Sequence, residues 1–475
     1  MKSMRVGLAA LASVALLSAG CSSAGGKTDP SADASQLVPA DALAYVAVDT
    51  NLSSSQLQSA QAILDKFPIK TQLLQSVRSS LKKQGIDLEA LAPSAGPEVD
   101  VALLRVDGTT SAVGFTQPKD EQAFDAQLDK QSAVHTAIDG WTVFAEKQPF
   151  LDAVTKRTTN LSDDADYQEA VKTIPVDAIA RAYATTAGLQ AGLGAASSGT
   201  GLGGVGITAP SSIGTAKWVT AALTSQDKAF KLEVHAKPTK TTPTLSAPTD
   251  AALAGQIPAG SIVAISLTGG GAGLIPASSQ TQITGLGKSL GFDLGALIDV
   301  FRGPVVAYIR PGAPVPEVTL AAKPPHPAKA LRAVAQLLRK LAKPQAAAVA
   351  TKVDGGTLQK LDLGSVALYY GVNAGRLVVT DSGNALAELQ GSIGHLSGDG
   401  VFKEAKDGAG MPDDSQGFLY LDLKDALPAL TAFAGLANQK LPASVEANLE
   451  PLRSVLVFGS REGGLQSFTV YVKTS

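Results

Sequence analysis

The stretch Gly85-Ile86-Asp87-Leu88-Glu89-Ala90-Leu91 occurs a second time in the chain, as Gly291-Phe292-Asp293-Leu294-Gly295-Ala296-Leu297. A Gly-Pro pair follows each copy, first as Gly96-Pro97 and then as Gly303-Pro304. An apolar run typical of a β-strand comes directly after each pair. A motif that returns with the same neighbours predicts two related repeats in the chain.

Four other pairs of stretches match in the same order. The offset between partners is 258 − 39 = 219 at the first pair, and it stays at 235 or 236 over the last three. The matched pairs are 38–48 with 257–267, 139–144 with 374–379, 167–170 with 402–405, and 234–237 with 470–473. We therefore predict repeat 1 at residues 37–237, a linker rich in Pro, Thr, Ala and Ser at 238–255, and repeat 2 at 256–475.

Hydrophobic periodicity predicts the order of elements within a repeat: a strand, helices, strands, a helix and further strands. In repeat 1, the apolar run 44–49 predicts a strand, and apolar residues at helical spacing over 57–67 predict a helix. The Asp107-Gly108 pair predicts the turn of a hairpin. Because helices do not alternate regularly with strands, we expect an α+β fold of two tandem related domains, each mainly an antiparallel sheet with helices packed on one face.

Residues 1–21 have the features of a bacterial lipoprotein signal peptide. Lys2 and Arg5 supply positive charge, and the apolar stretch 6–17 is too short to cross a bilayer as a helix. The sequence Leu17-Ser18-Ala19-Gly20-Cys21 resembles a lipobox, although Ser stands at a position where Leu is usual. It predicts that Cys21 is lipidated and becomes the mature N-terminus. Residues 22–36, rich in Ser, Gly, Ala and Asp, predict a flexible tether from this anchor to repeat 1.

Composition narrows the range of functions. A net charge of −2 over 475 residues gives no electrostatic signature of nucleic-acid binding. Cys21 is the single Cys of the sequence, so it excludes an intramolecular disulfide, a catalytic thiolate and a Cys-based metal site.

No sequence motif for catalysis, cofactor binding or metal binding stands out, so we expect a protein that is not an enzyme and needs no cofactor. The segment 201–206 matches G-x-G-x-x-G, but neither a strand before it nor a helix after it is predicted. A Gly-rich loop over 192–206, either a flap or disordered, is the better interpretation.

The titratable residues are scattered along the sequence. No His lies at metal-ligand spacing from another His. A hydrolase with paired carboxylates stays open, because such a pair meets only in space. The candidate residues are His135, His235, His326, His395, Asp163-Asp164 and Asp413-Asp414.

The segment 323–343 predicts a basic amphipathic helix. Its apolar residues recur at helical spacing, and no acidic residue interrupts it. We interpret it as a core helix with a solvated basic face. Contact of that face with anionic lipid headgroups, or with the acidic helix that begins near Asp120 in repeat 1, is the alternative. The basic residues are Lys323, Lys329, Arg332, Arg339, Lys340 and Lys343.

The chain resembles a bacterial domain-of-unknown-function family, number 3352. The resemblance rests on the opening Val38-Pro39-Ala40-Asp41-Ala42-Leu43-Ala44-Tyr45-Val46, on the Gly-[Ile/Phe]-Asp-Leu motif before Gly-Pro, and on the closing strand pair around Trp218. It covers residue 37 to the C-terminus, and the loop 192–206 departs from it. The resemblance implies an exported, membrane-tethered bacterial protein and supplies no activity and no functional residue.

These features together predict a non-enzymatic bacterial envelope lipoprotein, held on the outer face of a membrane by lipidated Cys21. We expect a binding or scaffolding protein whose partners are the membrane and a lipid or envelope protein, without nucleic acid. One alternative is a carrier of lipid or another hydrophobic ligand between envelope sites. A second alternative is a hydrolase whose site is not visible in the sequence.

Overall fold

The structure is a computed structural model that describes residues 34–83, 88–196, 216–239, 251–267, 297–298, 300–312, 315–341, 347–364, 366–436 and 440–475. Contacts between Cα atoms divide the chain into two compact units, with the main boundary between Thr241 and Thr242. The predicted signal peptide with Cys21, the motif 201–206 and most of the repeated Gly-x-Asp-Leu stretches lie outside the described residues.

The first unit is built around an antiparallel sheet. Its strand pairings give the order β4-β5-β3-β2-β1-β6-β7-β8. The elements are a 3₁₀ turn Ala34–Gln36, β1 Ala44–Asp49, α1 Ser55–Leu64, α2 Lys70–Lys83, α3 Leu88–Leu91, β2 Glu98–Val106, β3 Thr109–Thr116, α4 Glu121–Lys130, β4 Val134–Ile138, β5 Trp141–Ala145, α5 Gln148–Thr155, a 3₁₀ turn Leu161–Asp163, α6 Ala165–Val171, β6 Ala180–Thr185, α7 Thr186–Ala196, β7 Ala216–Gln226 and β8 Ala229–Pro238.

Helices cover both faces of this first sheet. Tyr45 and Ala47 of β1 lie in a core cluster with residues of α5 and α6. Val46 and Val48, which point to the opposite face, pack with residues of α1. The α+β class and the antiparallel sheet are confirmed. We had expected helices on one face, but β1 is apolar throughout 44–48, and a strand that is apolar on both sides needs cover on both.

The second unit contains another antiparallel sheet. Its pairings give the order β12-β13-β14-β15-β11-β10-β9-β16-β17. The elements that follow Thr242 in the chain are α8 Ala251–Ala254, β9 Val263–Leu267, β10 Val305–Arg310, β11 Glu317–Ala322, α9 Pro327–Leu341, β12 Ala348–Val353, β13 Gly356–Asp362, β14 Ala367–Asn373, β15 Arg376–Thr380, α10 Ala385–Leu389, a 3₁₀ turn Leu396–Gly398, α11 Gly400–Ala409, β16 Gly417–Asp422, α12 Leu423–Leu436, α13 Ala443–Leu449, β17 Leu452–Glu462 and β18 Leu465–Thr474.

The two strand orders correspond. In each unit the first strand, β1 or β9, lies in the interior of the sheet. It pairs on one side with the second strand, β2 or β10, and on the other with the strand after helix α6 or α11, which is β6 or β16. The second unit adds the hairpin β12–β13 at the edge beyond β14.

The N-terminal segment is more ordered than the sequence indicated. We predicted a flexible tether over 22–36, but Ala34–Gln36 forms a 3₁₀ turn in which Ala34 and Ser35 are buried. The backbone N–H of Ala34 donates a hydrogen bond of 3.1 Å to Oδ2 of Asp100, a fully buried residue that also accepts a bond of 2.7 Å from the Tyr45 hydroxyl. The tether prediction is therefore wrong for its last three residues.

Two other predicted loops contain short helical segments. Helix α7 continues through Ala196, so the first five residues of the predicted Gly-rich loop 192–206 are helical. The predicted linker 238–255 contains helix α8 near its end. In the part of the chain that the structure describes, no helix has the length and apolar character needed to span a membrane.

Candidate binding cleft in the first unit

The first unit contains an open cleft of about 530 Å³ where the chain enters β1 and leaves β2. We name it the β1–β2 cleft. Its walls are residues 39–41 before β1, residues 104–106 at the end of β2, Ala153 of α5, and residues 156–159 after that helix.

Backbone hydrogen bonds fix two of these walls against each other. The N–H of Leu161 donates to the carbonyl of Val38 over 2.7 Å, and the N–H of Ala40 donates to the carbonyl of Thr159 over 3.2 Å. Pro39 and Asn160 form an isolated antiparallel bridge between these bonds. The two segments therefore form a small ladder, and the mouth of the cleft is already shaped without a ligand.

Arg157 holds the loop after α5 in place. Its Nε donates to Oδ1 of Asn160 over 2.9 Å, and its NH1 donates to the carbonyl of Val154 over 3.0 Å. Both acceptors belong to neighbouring residues of the same segment. Arg157 is also one of the lining residues, so it borders the cleft while it stabilises the loop.

The charge of the lining favours anions. Three lining residues are basic, namely Arg105, Lys156 and Arg157, and one is acidic, Asp41. The Lys156 ammonium lies 2.9 Å from Oδ2 of Asp152, one helical turn earlier. The pKa of Asp152 is lowered, first by a hydrogen bond from Gln148 and next by Lys156. Arginine and lysine are the side chains that bind carboxylate and phosphate groups best.

The second unit repeats this small ladder between the segment before its first strand, β9, and the segment after helix α10. We call the ladder in each unit the backbone frame. Pro258 and His395 form an isolated antiparallel bridge, as Pro39 and Asn160 do in the first unit. The N–H of Leu396 donates to the carbonyl of Ile257 over 2.7 Å. The offsets 258 − 39 = 219 and 395 − 160 = 235 equal those found by matching the sequences.

That corresponding place is filled by an ion pair of the protein itself. Leu104 corresponds to Arg310 at the offset of the repeated Gly-x-Asp-Leu motif (291 − 85 = 206 and 310 − 104 = 206), and Ala153 corresponds to Glu388 (388 − 153 = 235). Arg310 pairs with Glu388, whose side chain is 7% exposed. The basic residues of the first cleft have no basic counterpart, because Arg105, Lys156 and Arg157 correspond to Pro311, Gly391 and Ser392.

The four His residues lie in four separate places. Nε2 of His135 is 3.2 Å from Asp129, and its Nδ1 is 3.5 Å from Asp125. His235 is half-buried on β8, and this burial lowers its pKa, against the opposing effect of Glu233. His326 is exposed before α9, and His395 bridges to Pro258.

The acidic pairs have structural contacts. Asp164 caps α6 by accepting from the N–H of Tyr167, and Asp163 accepts from Asn160. Asp413 pairs with Lys406, and Asp414 is exposed. Among the described residues, no three His, Cys, Asp or Glu side chains form a group that could hold a metal ion.

The residues of the β1–β2 cleft were not found from the sequence. They come from four separate segments between Pro39 and Thr159, and none of the segments carries a known motif. One signal was available: the basic pair Lys156-Arg157 and two threonines follow α5 directly and precede the ladder with Val38.

Comparison with known protein families found no family model that matches the chain, and comparison with curated proteins found no match. Solved structures with some similarity include three crystal forms of TP0453. Form IV is 13% identical, over 44% of this chain and 75% of that chain, with a TM-score of 0.24. Form III is 10% identical, over 46% and 84%, with a TM-score of 0.25. Form I is 9% identical, over 45% and 82%, with a TM-score of 0.26. Similarity at this level supports no conclusion about function.

Proposed function

We propose that this protein is a non-enzymatic bacterial envelope lipoprotein, anchored to a membrane through Cys21, that binds an anionic ligand or partner in the β1–β2 cleft. The observation that carries the proposal is the cleft itself, a preformed cavity of about 530 Å³ with three basic lining residues and one acidic. The anchor and the outer-face location come from the lipobox-like sequence, and they belong to the proposal.

The difference between the two units supports a binding role. In the second unit the same backbone frame holds the Arg310–Glu388 ion pair, so a carboxylate of the protein itself lies beside an arginine there. In the first unit the equivalent positions are Leu104 and Ala153, which leave space, and basic residues surround that space. Asp41 and the Asp152 side chain that pairs with Lys156 balance part of that charge, and an anionic group supplied from outside would balance the rest. We include a duplication of one ancestral unit in the proposal, since the matched frame supports it.

The lining residues favour binding over catalysis. Among the described residues that line the cleft, Asp41 is the single carboxylate and none is a His or a Cys. A paired-carboxylate mechanism therefore lacks its second acid among these lining residues. The charged lining also differs from the apolar cavity that a carrier of lipid tails requires.

The test compares the full chain with the double variant Arg105→Ala/Lys156→Ala. Both proteins are purified from a bacterial envelope, and the compounds that remain bound are identified by mass spectrometry. We expect an anionic compound with the unaltered protein and at least about a tenfold loss in the variant, because two charge-assisted hydrogen bonds are removed. Arg157 is kept, since it stabilises the loop.

The matched control is Lys119→Ala/Lys403→Ala, which removes two exposed positive charges outside the cleft. It should retain the compound at the level of the unaltered protein. Equal retention by all three proteins, or retention of an uncharged compound alone, would refute the cleft as an anion site.

A further inference from the structure

We propose that the outer face of helix α9 docks on a membrane surface that contains anionic phospholipids. The basic face of α9 consists of Lys329, Arg332, Arg339 and Lys340, all exposed. This inference is independent of the β1–β2 cleft, which lies in the other unit.

The apolar face of α9 is buried in the core of the second unit. Ala330, Val334 and Leu338 are buried in one cluster with Leu361 of β13 and Tyr370 of β14. Helix α9 is thus fixed against its sheet by a large hydrophobic contact. Its orientation is set by this core, and its opposite face has to point away from the sheet.

The basic residues form a narrow straight stripe on that opposite face. At 100° per residue, positions 329, 332, 336, 339 and 340 fall within an arc of about 100°. Gln336, also exposed, is the one uncharged residue among these five positions. From Lys329 to Lys340 the stripe is about 16 Å long, at a rise of 1.5 Å per residue. A straight stripe on a fixed helix can meet a flat surface along its whole length.

The stripe has one sign of charge only. No Asp or Glu occurs between Lys323 and Leu341, and His326 adds a further titratable group of the same sign at the start. Exposed helices usually alternate acidic and basic residues three or four positions apart, because such pairs attract and like pairs repel. Helix α4 of the first unit has the opposite character, with Glu121, Asp125 and Asp129. Helix α9 contains no acidic residue three or four positions from its basic ones, and a face with one sign of charge fits an anionic surface outside the protein.

A membrane surface is the partner that the rest of the chain favours. A surface helix that enters the bilayer needs a free apolar face, whereas the apolar face of α9 is buried. Helix α9 would therefore contact the lipid headgroups and not the acyl chains. This contact would be electrostatic and would weaken as the salt concentration rises. The proposed lipid at Cys21 would keep the protein at the membrane, where a modest surface attraction is sufficient to orient it.

The test measures binding to vesicles with the full chain carrying Cys21→Ser, so that no acyl chain contributes. Vesicles of phosphatidylcholine alone are compared with vesicles of phosphatidylcholine and phosphatidylglycerol in equal parts, by co-sedimentation at low and high salt. We expect stronger binding to the phosphatidylglycerol vesicles and a loss of this difference at high salt.

The variant Arg332→Gln/Arg339→Gln should weaken that binding by about 25-fold, since each basic side chain near an anionic surface contributes about fivefold. Glutamine is a good helix former and both sites are exposed, so the helix should persist. The matched control Lys119→Gln/Lys403→Gln removes the same charge elsewhere and should bind as the unaltered protein does.

Three results would overturn the inference: equal binding to both kinds of vesicle, unchanged binding by Arg332→Gln/Arg339→Gln, or an equal loss in the control. If the variant proves less stable by circular dichroism, the single variants Arg332→Gln and Arg339→Gln replace it as the deciding proteins. Each should weaken binding by about fivefold, and unchanged binding by both refutes the inference.

Discussion

At the scale of single residues, the repeated Gly-Pro pairs have a steric cause. A Cβ atom on Gly96 would lie 2.1 Å from the carbonyl oxygen of Gln117, and one on Gly303 would lie 1.9 Å from that of Lys323. Both neighbours are backbone atoms and cannot rotate away. Each glycine thus allows two strand ends to approach closely, and this requirement explains a motif that the sequence showed only as a recurrence.

We predict that Gly303→Ala lowers the free energy of unfolding of the second unit by about 1–3 kcal/mol, because the added methyl group forces the backbone apart. Gly400→Ala is the matched control: nothing lies within 4 Å of its added Cβ, and Ala is favoured over Gly at the start of α11. Urea unfolding followed by circular dichroism should show the loss for Gly303→Ala alone. Equal stability of the two variants would contradict the steric explanation.

The half-buried His235 makes the first unit sensitive to acid. Burial lowers its pKa below the unfolded value of about 6.5, so the unfolded chain binds a proton more readily than the folded one. The stability that the neutral imidazole provides is complete above about pH 6.5 and decreases as the pH falls toward the folded pKa.

We predict that the first unit is less stable at pH 5.5 than at pH 7.5 and that His235→Gln reduces this difference. Trp141 and Trp218, the two tryptophans of the sequence, both lie in the first unit, so Trp fluorescence during urea unfolding reports on it. His135→Gln is the control, since this His lies beside two acidic residues and outside the β7–β8 pair. If His235→Gln keeps the full stability difference between pH 5.5 and pH 7.5, His235 is not the source of that difference.

At the scale of elements, residues that correspond between the two repeats form the same kinds of contact in the two units. Tyr167 of α6 packs edge-on against Tyr183 at 5.2 Å between ring centroids, and Phe402 of α11 packs edge-on against Tyr420 at 5.1 Å. Lys237 pairs with Glu169 in the first unit. In the second unit Lys473 pairs with Glu404 in the same way.

The aspartates before these two helices are caps, and we predict that Asp164→Ala and Asp399→Ala each cost about 1 kcal/mol of stability. Asp164 accepts from the N–H of Tyr167 over 2.9 Å, and Asp399 accepts from the N–H of Val401 over 2.9 Å. Asp163→Ala is the neighbouring control, because that side chain accepts from the exposed amide of Asn160 and caps nothing. In thermal unfolding, Asp164→Ala and Asp399→Ala should each melt at a lower temperature than the unaltered protein, whereas Asp163→Ala should melt at the same temperature.

Some elements could be predicted from the sequence and others could not. Strand β1 was predicted at its observed bounds, because it is a short apolar run between turn residues. Helix α7 was missed, because three glycines lower its helix propensity. One of them, Gly188, brings the helix close to β1, where a Cβ would lie 1.9 Å from the carbonyl of Leu43. The reason for that glycine exists only in the tertiary contact.

At the scale of the whole molecule, the predicted lipid anchor can be tested directly. We expect the full chain to partition into the detergent phase of a Triton X-114 extraction of bacterial cells, and Cys21→Ser to move to the aqueous phase, since acyl chains supply the membrane affinity. A Ser→Ala change at position 22 beside the Cys controls for processing. Detergent partitioning of Cys21→Ser would refute the anchor.

The sequence by itself determined the α+β class, the antiparallel sheets and the bounds of strand β1, because these depend on local periodicity and turn residues. It also supplied the predictions of a lipidated Cys21 and of two repeats. Only the tertiary structure decided that helices cover both faces of the first sheet and that Ala34 belongs to its core. The same is true of the β1–β2 cleft, whose lining residues lie far apart in the chain and meet because backbone hydrogen bonds join the entry to β1 with the loop after α5.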